Sequence, residues 1–277
     1  MRKFNIILFS EVNSKFGMPF FKRLYNCGHF NIKAFVTTPE GQLCSYYIGE
    51  SDPVDLEKYA KEHDIPVYRP RNIKSADFIF EMSKYNPDYI LIANYQKIFS
   101  QELIDLPKYL TLNFHPSPLP RYAGLNPFFW MARNGEKNSG VSCIALSPKI
   151  DGGKIVKQLP VKLSGNETTR EVRDILFSKS LTLLDKVIND IVENKISVKN
   201  QDLKKREYYS NPTEKDMTLT NDMDIEEAIH ILNACFPNGA IANIDGKNLR
   251  VNRSNSNNGI KFDLKDGKVL LDEVNKS

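Results

Sequence analysis

Five short apolar runs within residues 1–115, separated by stretches of helical periodicity, restrict what this chain can fold into. Phe4–Phe9 is a compact run of the kind a strand buried on both faces needs. Residues 17–27 then carry apolar side chains at helical spacing and stop near Gly28. The pattern predicts a strand over 32–37 and a helix that opens at Asp52-Pro53 and runs to about His63. It continues with a strand over 65–68 and a helix over 75–85. Residues 88–93 (Asp-Tyr-Ile-Leu-Ile-Ala) are the most hydrophobic strand, and a short helix over 100–106 leads to a strand over Leu110–His115. Such alternation builds an α/β fold, a Rossmann-like, doubly wound and mostly parallel sheet. The loop over residues 10–17 has a single glycine, so it lacks the turn that seats a dinucleotide pyrophosphate, and no P-loop is present.

Further strands are predicted over 142–146 and 154–159, joined through Asp151-Gly152-Gly153. Asn166 is placed to cap a long helix with Glu167 in its first turn and Val172, Leu176, Leu183, Val187 and Ile191 as its buried stripe. The expected organisation is a large domain over 1–195, a polar linker over 196–221 pinned by Tyr208 and Tyr209, and a small β-hairpin-rich C-terminal α/β domain over 222–277. That last segment opens with an amphipathic helix over 224–234. It continues with strands Ala240–Ile244, 249–251, Ile260–Leu264 and 269–271, and its two Asp-Gly pairs mark the hairpins.

With 277 residues, 41% of them apolar, the chain buries a real core. The formal charge of +4 is weak evidence for nucleic acid, and the basic run Lys204-Lys205-Arg206 reads mainly as a solvated linker face. Cys27, Cys44, Cys143 and Cys235 are scattered, with no zinc spacing, and point to reduced thiols and a cytoplasmic location. The apolar part of the N-terminus is too short for a signal peptide or a membrane span, and no membrane insertion is expected.

The densest stretch runs from Thr111 to Gly124: Thr-Leu-Asn-Phe-His-Pro-Ser-Pro-Leu-Pro-Arg-Tyr-Ala-Gly. Residues two apart on a strand share a face, so Asn113 and His115 point one way while Leu112 and Phe114 point to the core. Pro116 excludes the α region for His115, at the carboxyl end of a strand where open α/β sheets bind ligands. Asp151, on a glycine-flanked loop, is free to approach the imidazole. An amide, an imidazole and a carboxylate together suit acyl chemistry: donors for an oxyanion, and a carboxylate that orients the imidazole. Each also has a plain structural alternative: a satisfied turn histidine, an asparagine bonded to a loop, an ordinary Asp-Gly turn. Ser117 lies between prolines and not in a nucleophile elbow, which favours direct transfer between two bound substrates. One histidine and one aspartate are too few ligands for a metal, and none is expected.

At this point the chain resembles the folate-dependent formyltransferase family. Asn113-Phe-His-Pro-Ser-Pro-Leu-Pro-Arg-Tyr-Ala-Gly124 is similar to the family's Asn-x-His-Pro-Ser-Leu-Leu-Pro-x-x-x-Gly motif, and Asp151-Gly152-Gly153 matches its second block, 36 residues after His115. The resemblance covers roughly residues 3–195. It implies Asn113, His115 and Asp151 as the catalytic trio and N10-formyltetrahydrofolate as formyl donor. It places the pterin against the loop Ile92, Ala93, Asn94, Tyr95, Gln96 and Lys97, with Ile150 on the opposite wall.

The family's acceptors are glycinamide ribonucleotide, initiator methionyl-tRNA and nucleotide-linked amino sugars. The tail here argues against the first. It looks like a trimmed relative of the appendage of the tRNA enzymes: Tyr208-Tyr209 and Phe236-Pro-Asn-Gly-Ala240 echo their linker and barrel entry. No lysine or arginine lies between Lys33 and Lys58, where those enzymes carry a basic loop; this loop is aromatic instead. The best match is therefore to the bacterial nucleotide-sugar N-formyltransferases of surface polysaccharide and O-antigen synthesis, acting on dTDP-4-amino-4,6-dideoxyglucose or a 3-amino relative. Ser117, Arg121, Tyr122, Gly124 and Tyr46 are the candidate sugar-nucleotide contacts, and Phe128, Phe129 and Trp130 read as helix core. A homodimer through the C-terminal hairpins would suit this subfamily. Methionyl-tRNA, or another amine acceptor, is the alternative. A non-enzymatic folate- or nucleotide-binding module is the alternative of another class, and the intact trio speaks against it.

Overall fold

The computed structural model describes residues 3–274. Its first half has the predicted alternation: β1 Phe4–Phe9, α1 Gly17–Asn26, β2 Phe30–Val36, α2 Leu56–Glu62, β3 Val67–Tyr68, α3 Ala76–Ser83, β4 Tyr89–Ile92, α4 Gln101–Ile104 and β5 Leu110–His115. There follow β6 Ala123–Gly124, α5 Pro127–Arg133, β7 Asn138–Ala145, β8 Lys154–Lys162, α6 Thr169–Val192, β9 Tyr208–Tyr209, α7 Ile225–Cys235, β10 Ala240–Ile244, β11 Lys247–Arg253, β12 Ile260–Leu264 and β13 Gly267–Glu273. By its internal contacts the chain forms two compact units, interleaved in sequence. The first comprises residues up to His115, Val141–Leu159 and Lys179–Lys204; the second comprises Pro116–Gly140, Pro160–Ser178 and residues from Lys205 on.

The main sheet has seven strands in the order β3-β2-β1-β4-β5-β7-β8. The pairs β2–β3, β1–β2, β1–β4 and β4–β5 are parallel, and β7 enters antiparallel to β5. The strand order reverses between β1 and β4. Connections leave those two strands toward opposite faces, and a crevice opens at their carboxyl ends. Ile6, Ile7, Leu8 and Phe9 of β1 and Ile90, Leu91 and Ile92 of β4 are all at most 2% exposed. Strands buried on both faces have no polar side to alternate with, which explains their unbroken apolar runs. Below β5, Phe114 stacks edge-on against Phe20 of α1 with ring centroids 4.9 Å apart, so its burial fixes the opposite face toward the crevice.

Three local expectations shift. The second helix is capped by Asp55, whose carboxylate accepts from Lys58 N at 2.9 Å. Asp52 instead adopts a left-handed turn (φ 55°) two positions before Val54. The long helix is capped by Thr168, not Asn166. Thr168 Oγ1 accepts from Glu171 N and the Glu171 carboxylate accepts from Thr168 N, a reciprocal box that Asn166 has no acid in register to form. In the tail, Asp245 and Gly246 both have positive φ and close a two-residue hairpin between Ile244 and Lys247. The second Asp-Gly pair is split: Lys265 and Asp266 make the turn, and Gly267 pairs with Leu264 inside β13.

The second unit contains a four-stranded antiparallel sheet, β10-β11-β13-β12. Ala240, Ala242, Val251, Phe262, Val269 and Leu271 bury its inner face, with Ala228, Ile231 and Leu232 of α7. The linker tyrosines are a strand, β9, paired parallel with β6. Tyr209 stacks between Tyr122 (5.3 Å) and Trp130 (4.9 Å), and Asn134 Nδ2 donates to both tyrosine hydroxyls. Gly124 is required here, because a Cβ would lie 2.3 Å from the Tyr209 carbonyl oxygen.

Asp224 caps α7 by accepting from Glu227 N at 2.8 Å. Asp224→Ala leaves that donor unpaired and is expected to cost about 1 kcal/mol, read as a lowered midpoint in urea with unchanged slope.

Candidate active site

Asn113 and His115 stand on β5 one pleat apart, on the face away from Phe114. Ser142 of β7 lies directly opposite His115 in the ladder, and Ile144 lies opposite Asn113, so these four side chains share one face. Ser142 is fully buried and accepts from Gln158 Nε2 of β8 at 2.8 Å.

Asp151 reaches this face by an indirect route. Because β7 runs antiparallel, it leaves the sheet at Ala145 beside Leu112, three residues back from His115. At the rise of a strand that is about 10 Å from the imidazole. The connection to β8 therefore has to fold back over the sheet. Asp151 takes a left-handed backbone (φ 48°), uncommon for a non-glycine residue, and Gly153 packs so closely that a Cβ would lie 1.9 Å from the Ala145 carbonyl oxygen. The outcome is a carboxylate whose Oδ1 lies 3.6 Å from His115 Nδ1, with both side chains 11% exposed. That distance suits charge pairing and is longer than a hydrogen bond; catalytic contacts commonly tighten when substrate binds.

The loop after β4 sits at the switch point. Ile92 and Ala93 are buried and Asn94 is left-handed (φ 62°). Glu11, just past β1 and only 4% exposed, closes the two loops together: its N–H donates to Asn94 O at 2.9 Å and its carboxylate accepts from Gln96 N at 3.2 Å. Burial pushes the Glu11 carboxyl above its ordinary range, opposed by the Gln96 N–H, by Thr38 and by the charge of Lys97. Asn94 Nδ2 also donates to Ser14 Oγ at 3.0 Å. Cys44, in the 40s segment, is held at both backbone groups by Asn13, at 2.9 and 3.1 Å. Tyr95 is buried with the loop, its phenol raised by desolvation. Ile98 and Ile150, by contrast, are 56% and 46% exposed.

The other sequence candidates differ in how they are engaged. Ser117 is fully buried and donates to Arg121 O at 3.0 Å, which makes it a support of its own turn. Arg121 pairs with Glu136 and, at 3.3 Å, with Glu207. Tyr122 is 3% exposed within the tyrosine stack, and Tyr46 is half-buried in a short 3-10 turn. Glu11 was missed as a site residue; a lone charge two residues past the apolar run Ile6–Phe9 is the signal that could have found it. Gln201 was also missed, and the polar linker around it gives no such signal. All four cysteines are free, and no cluster of metal-ligating side chains occurs among the described residues. No helix among them is long and apolar enough to cross a membrane.

A Rossmann-like sheet with an amide, an imidazole and a carboxylate on its carboxyl side has the groups that acyl transfer calls for. The family model for formyl transferase matches residues 5–188; the chain belongs to that family and is a folate-dependent N-formyltransferase. Along its length it is similar to methionyl-tRNA formyltransferase of Clostridium beijerinckii, 28% identical over 94% of this chain and 88% of that protein. It is also 36% identical over 51% of its length to the bifunctional polymyxin resistance protein ArnA of Wigglesworthia glossinidia brevipalpis, of which the match spans 22%. In fold it resembles the N-formyltransferase of Helicobacter canadensis, solved with folinic acid and dTDP-3-aminofucose, with a TM-score of 0.68 at 17% identity, covering 99% of each chain.

Replacing Glu11 by glutamine keeps an acceptor for Gln96 and removes a charge that burial disfavours. A carboxyl with a raised folded pKa stabilises the fold when protonated and loses that contribution as pH rises through the folded value. Glu11→Gln is therefore expected to melt above the wild type at pH 7.5, the gap narrowing toward pH 5, in thermal unfolding monitored by circular dichroism.

Proposed function

We propose that the chain transfers the formyl group of N10-formyltetrahydrofolate to the amine of a nucleotide-linked amino sugar. The observation that carries the chemistry is the set of Asn113, His115 and Asp151 on one unit, at the carboxyl edge of the sheet beside its switch point. The acceptor amine, unprotonated, attacks the formyl carbon. A C–N bond forms as the carbonyl pair moves to oxygen. The Asn113 amide and protonated His115 donate to that oxyanion. Asp151 orients the imidazole and carries the amine's proton toward N10, and collapse breaks the bond from carbon to N10. The residues 92–97 and Ile150 hold the donor's ring system. Holding amine and formyl group together supplies much of the rate.

The sugar reading rests on charge. Between Lys33 and Lys58 there is no lysine or arginine, while Glu40, Glu50, Asp52, Asp55 and Glu57 are all acidic; cations from outside the segment meet two of them, Lys15 at Glu50 and Lys61 and Arg69 at Glu57. The polar face of the C-terminal sheet sets Arg250, Lys261 and Lys268 among Asp263 and Asp272, with Asp263 directly opposite Lys268. Tracking a tRNA backbone calls for rows of cations, and carboxylates repel it. Methionyl-tRNA is the second reading, favoured by the match to the Clostridium enzyme along 94% of the chain. The C-terminal hairpins make a homodimer the expected assembly, which sedimentation of the full chain reads directly.

The test gives the enzyme N10-formyltetrahydrofolate with dTDP-4-amino-4,6-dideoxyglucose, its 3-amino isomer, or charged initiator tRNA, and weighs the products. A sugar nucleotide heavier by one CO supports the reading; formylation of the tRNA alone overturns its acceptor. His115→Ala is expected to lose at least ~10²-fold in kcat while still binding the folate, and near-wild-type turnover would remove His115 from the mechanism.

A further inference from the structure

We propose that Gln201 is the positioning residue of the Asp151 loop, a clamp that holds the carboxylate over His115. It lies beyond α6, fifty residues from the loop it serves. Its Nε2 donates to two carbonyl oxygens at once, Asp151 O at 2.7 Å and Gly153 O at 2.6 Å. Two residues earlier, Lys199 exchanges a pair of backbone hydrogen bonds with Ile155, both 2.8 Å. The approach of the side chain is thus fixed by a backbone bridge to Ile155, at the start of β8, all within one compact unit.

The clamp answers a specific mechanical problem. The connection from β7 departs about three strand residues short of the imidazole, and a left-handed aspartate must turn it back. Such a backbone state is sparsely populated by non-glycine residues and persists only when neighbours over-determine it. Gly153 supplies close packing on one side of Asp151, and it does not choose the direction in which the carboxylate points. Gln201 ties the carbonyls on both sides of Gly152 to a single donor, which fixes that direction. An NH₂ group with two hydrogens serves two acceptors; a carboxylate or an apolar side chain at this position serves neither.

The kinetic arm of the test rests on the formyl-transfer reading, and a second arm does not. Gln201→Met keeps side-chain length and removes the donor; Gln201→Glu sets an acceptor against two carbonyls. Both are expected to lower kcat by ~10-fold or more with KM for donor and acceptor within about twofold of wild type, since small misplacements of a reacting group cost rate and not binding. The chain has four histidines, His29, His63, His115 and His230. With ¹³C-labelled histidine, the His115→Ala spectrum assigns the fourth signal. In Gln201→Met that signal alone is expected to move, because the charge beside it has been displaced. An unmoved His115 signal, or unchanged kcat in an active enzyme, overturns the clamp. So does movement of all four signals together with a collapse in thermal stability, which would make Gln201 a residue of the fold at large. If the wild type formylates none of the amines offered, the reaction falls, while the histidine spectra still decide whether Gln201 positions Asp151.

Discussion

The antiparallel entry of β7 is the constraint on which the site depends. A parallel neighbour would have delivered its next loop to the carboxyl edge, directly beside His115. An antiparallel one delivers it to the other end, and the chain must return on itself before Asp151 can reach His115. The left-handed aspartate, the glycine pressed against Ala145 and the double hydrogen bond from Gln201 all follow from that one choice of strand direction. The reversal also shapes His115 itself. Its cross-strand neighbour is the buried Ser142, held by Gln158, so the imidazole stands on a wall with no slack.

The switch point contributes a second kind of rigidity. Glu11 is an ionisable group taken out of water to join two loop backbones. Its charge is disfavoured there, and what it gains is placement: the 94–97 loop is fixed to the end of β1 before any ligand arrives. A ligand read by backbone atoms needs a loop already in position, because ordering it during binding would consume the binding energy. The two halves of the chemistry are thus prepared differently. The loop proposed to take the donor is fixed by hydrogen bonds to the segment just past β1, and the Asp151 loop is fixed by hydrogen bonds from the segment after α6.

What the sequence disclosed follows from how local each feature is. Asn113 and His115 were legible because a period of two on one strand is a local fact, and Pro116 restrains its neighbour through covalent geometry alone. The alternating strands and helices were legible for the same reason. The helix starts were less so: Asp52 and Asn166 look like caps, but Asp55 and Thr168 have the partner three residues on that completes the cap. The direction of β7, the fold-back of residues 146–153 and the reach of Gln201 depend on contacts between distant segments, and no periodicity records them. The tyrosines at 208 and 209 sat between these cases. Their anchoring role was visible in their type, while the pairing of β9 with β6 was not.

The chemistry and the choice of acceptor reside in different parts of the molecule. Formyl transfer needs an oxyanion donor, an imidazole and a placed carboxylate, and none of these distinguishes one primary amine from another. Discrimination has to come from surfaces that meet the rest of the acceptor. A tRNA offers dozens of phosphates, so selection for it accumulates cations over a wide area, and every carboxylate in that area opposes binding. A sugar nucleotide offers two phosphates, which a few groups satisfy, leaving the remaining surface free of charge selection. The proposed sugar acceptor draws on this contrast: the segment that precedes and opens α2 carries five carboxylates and no cation of its own, with Glu50 paired to Lys15 and Glu57 to Lys61 and Arg69. Sequence similarity along the chain reports common descent of the scaffold.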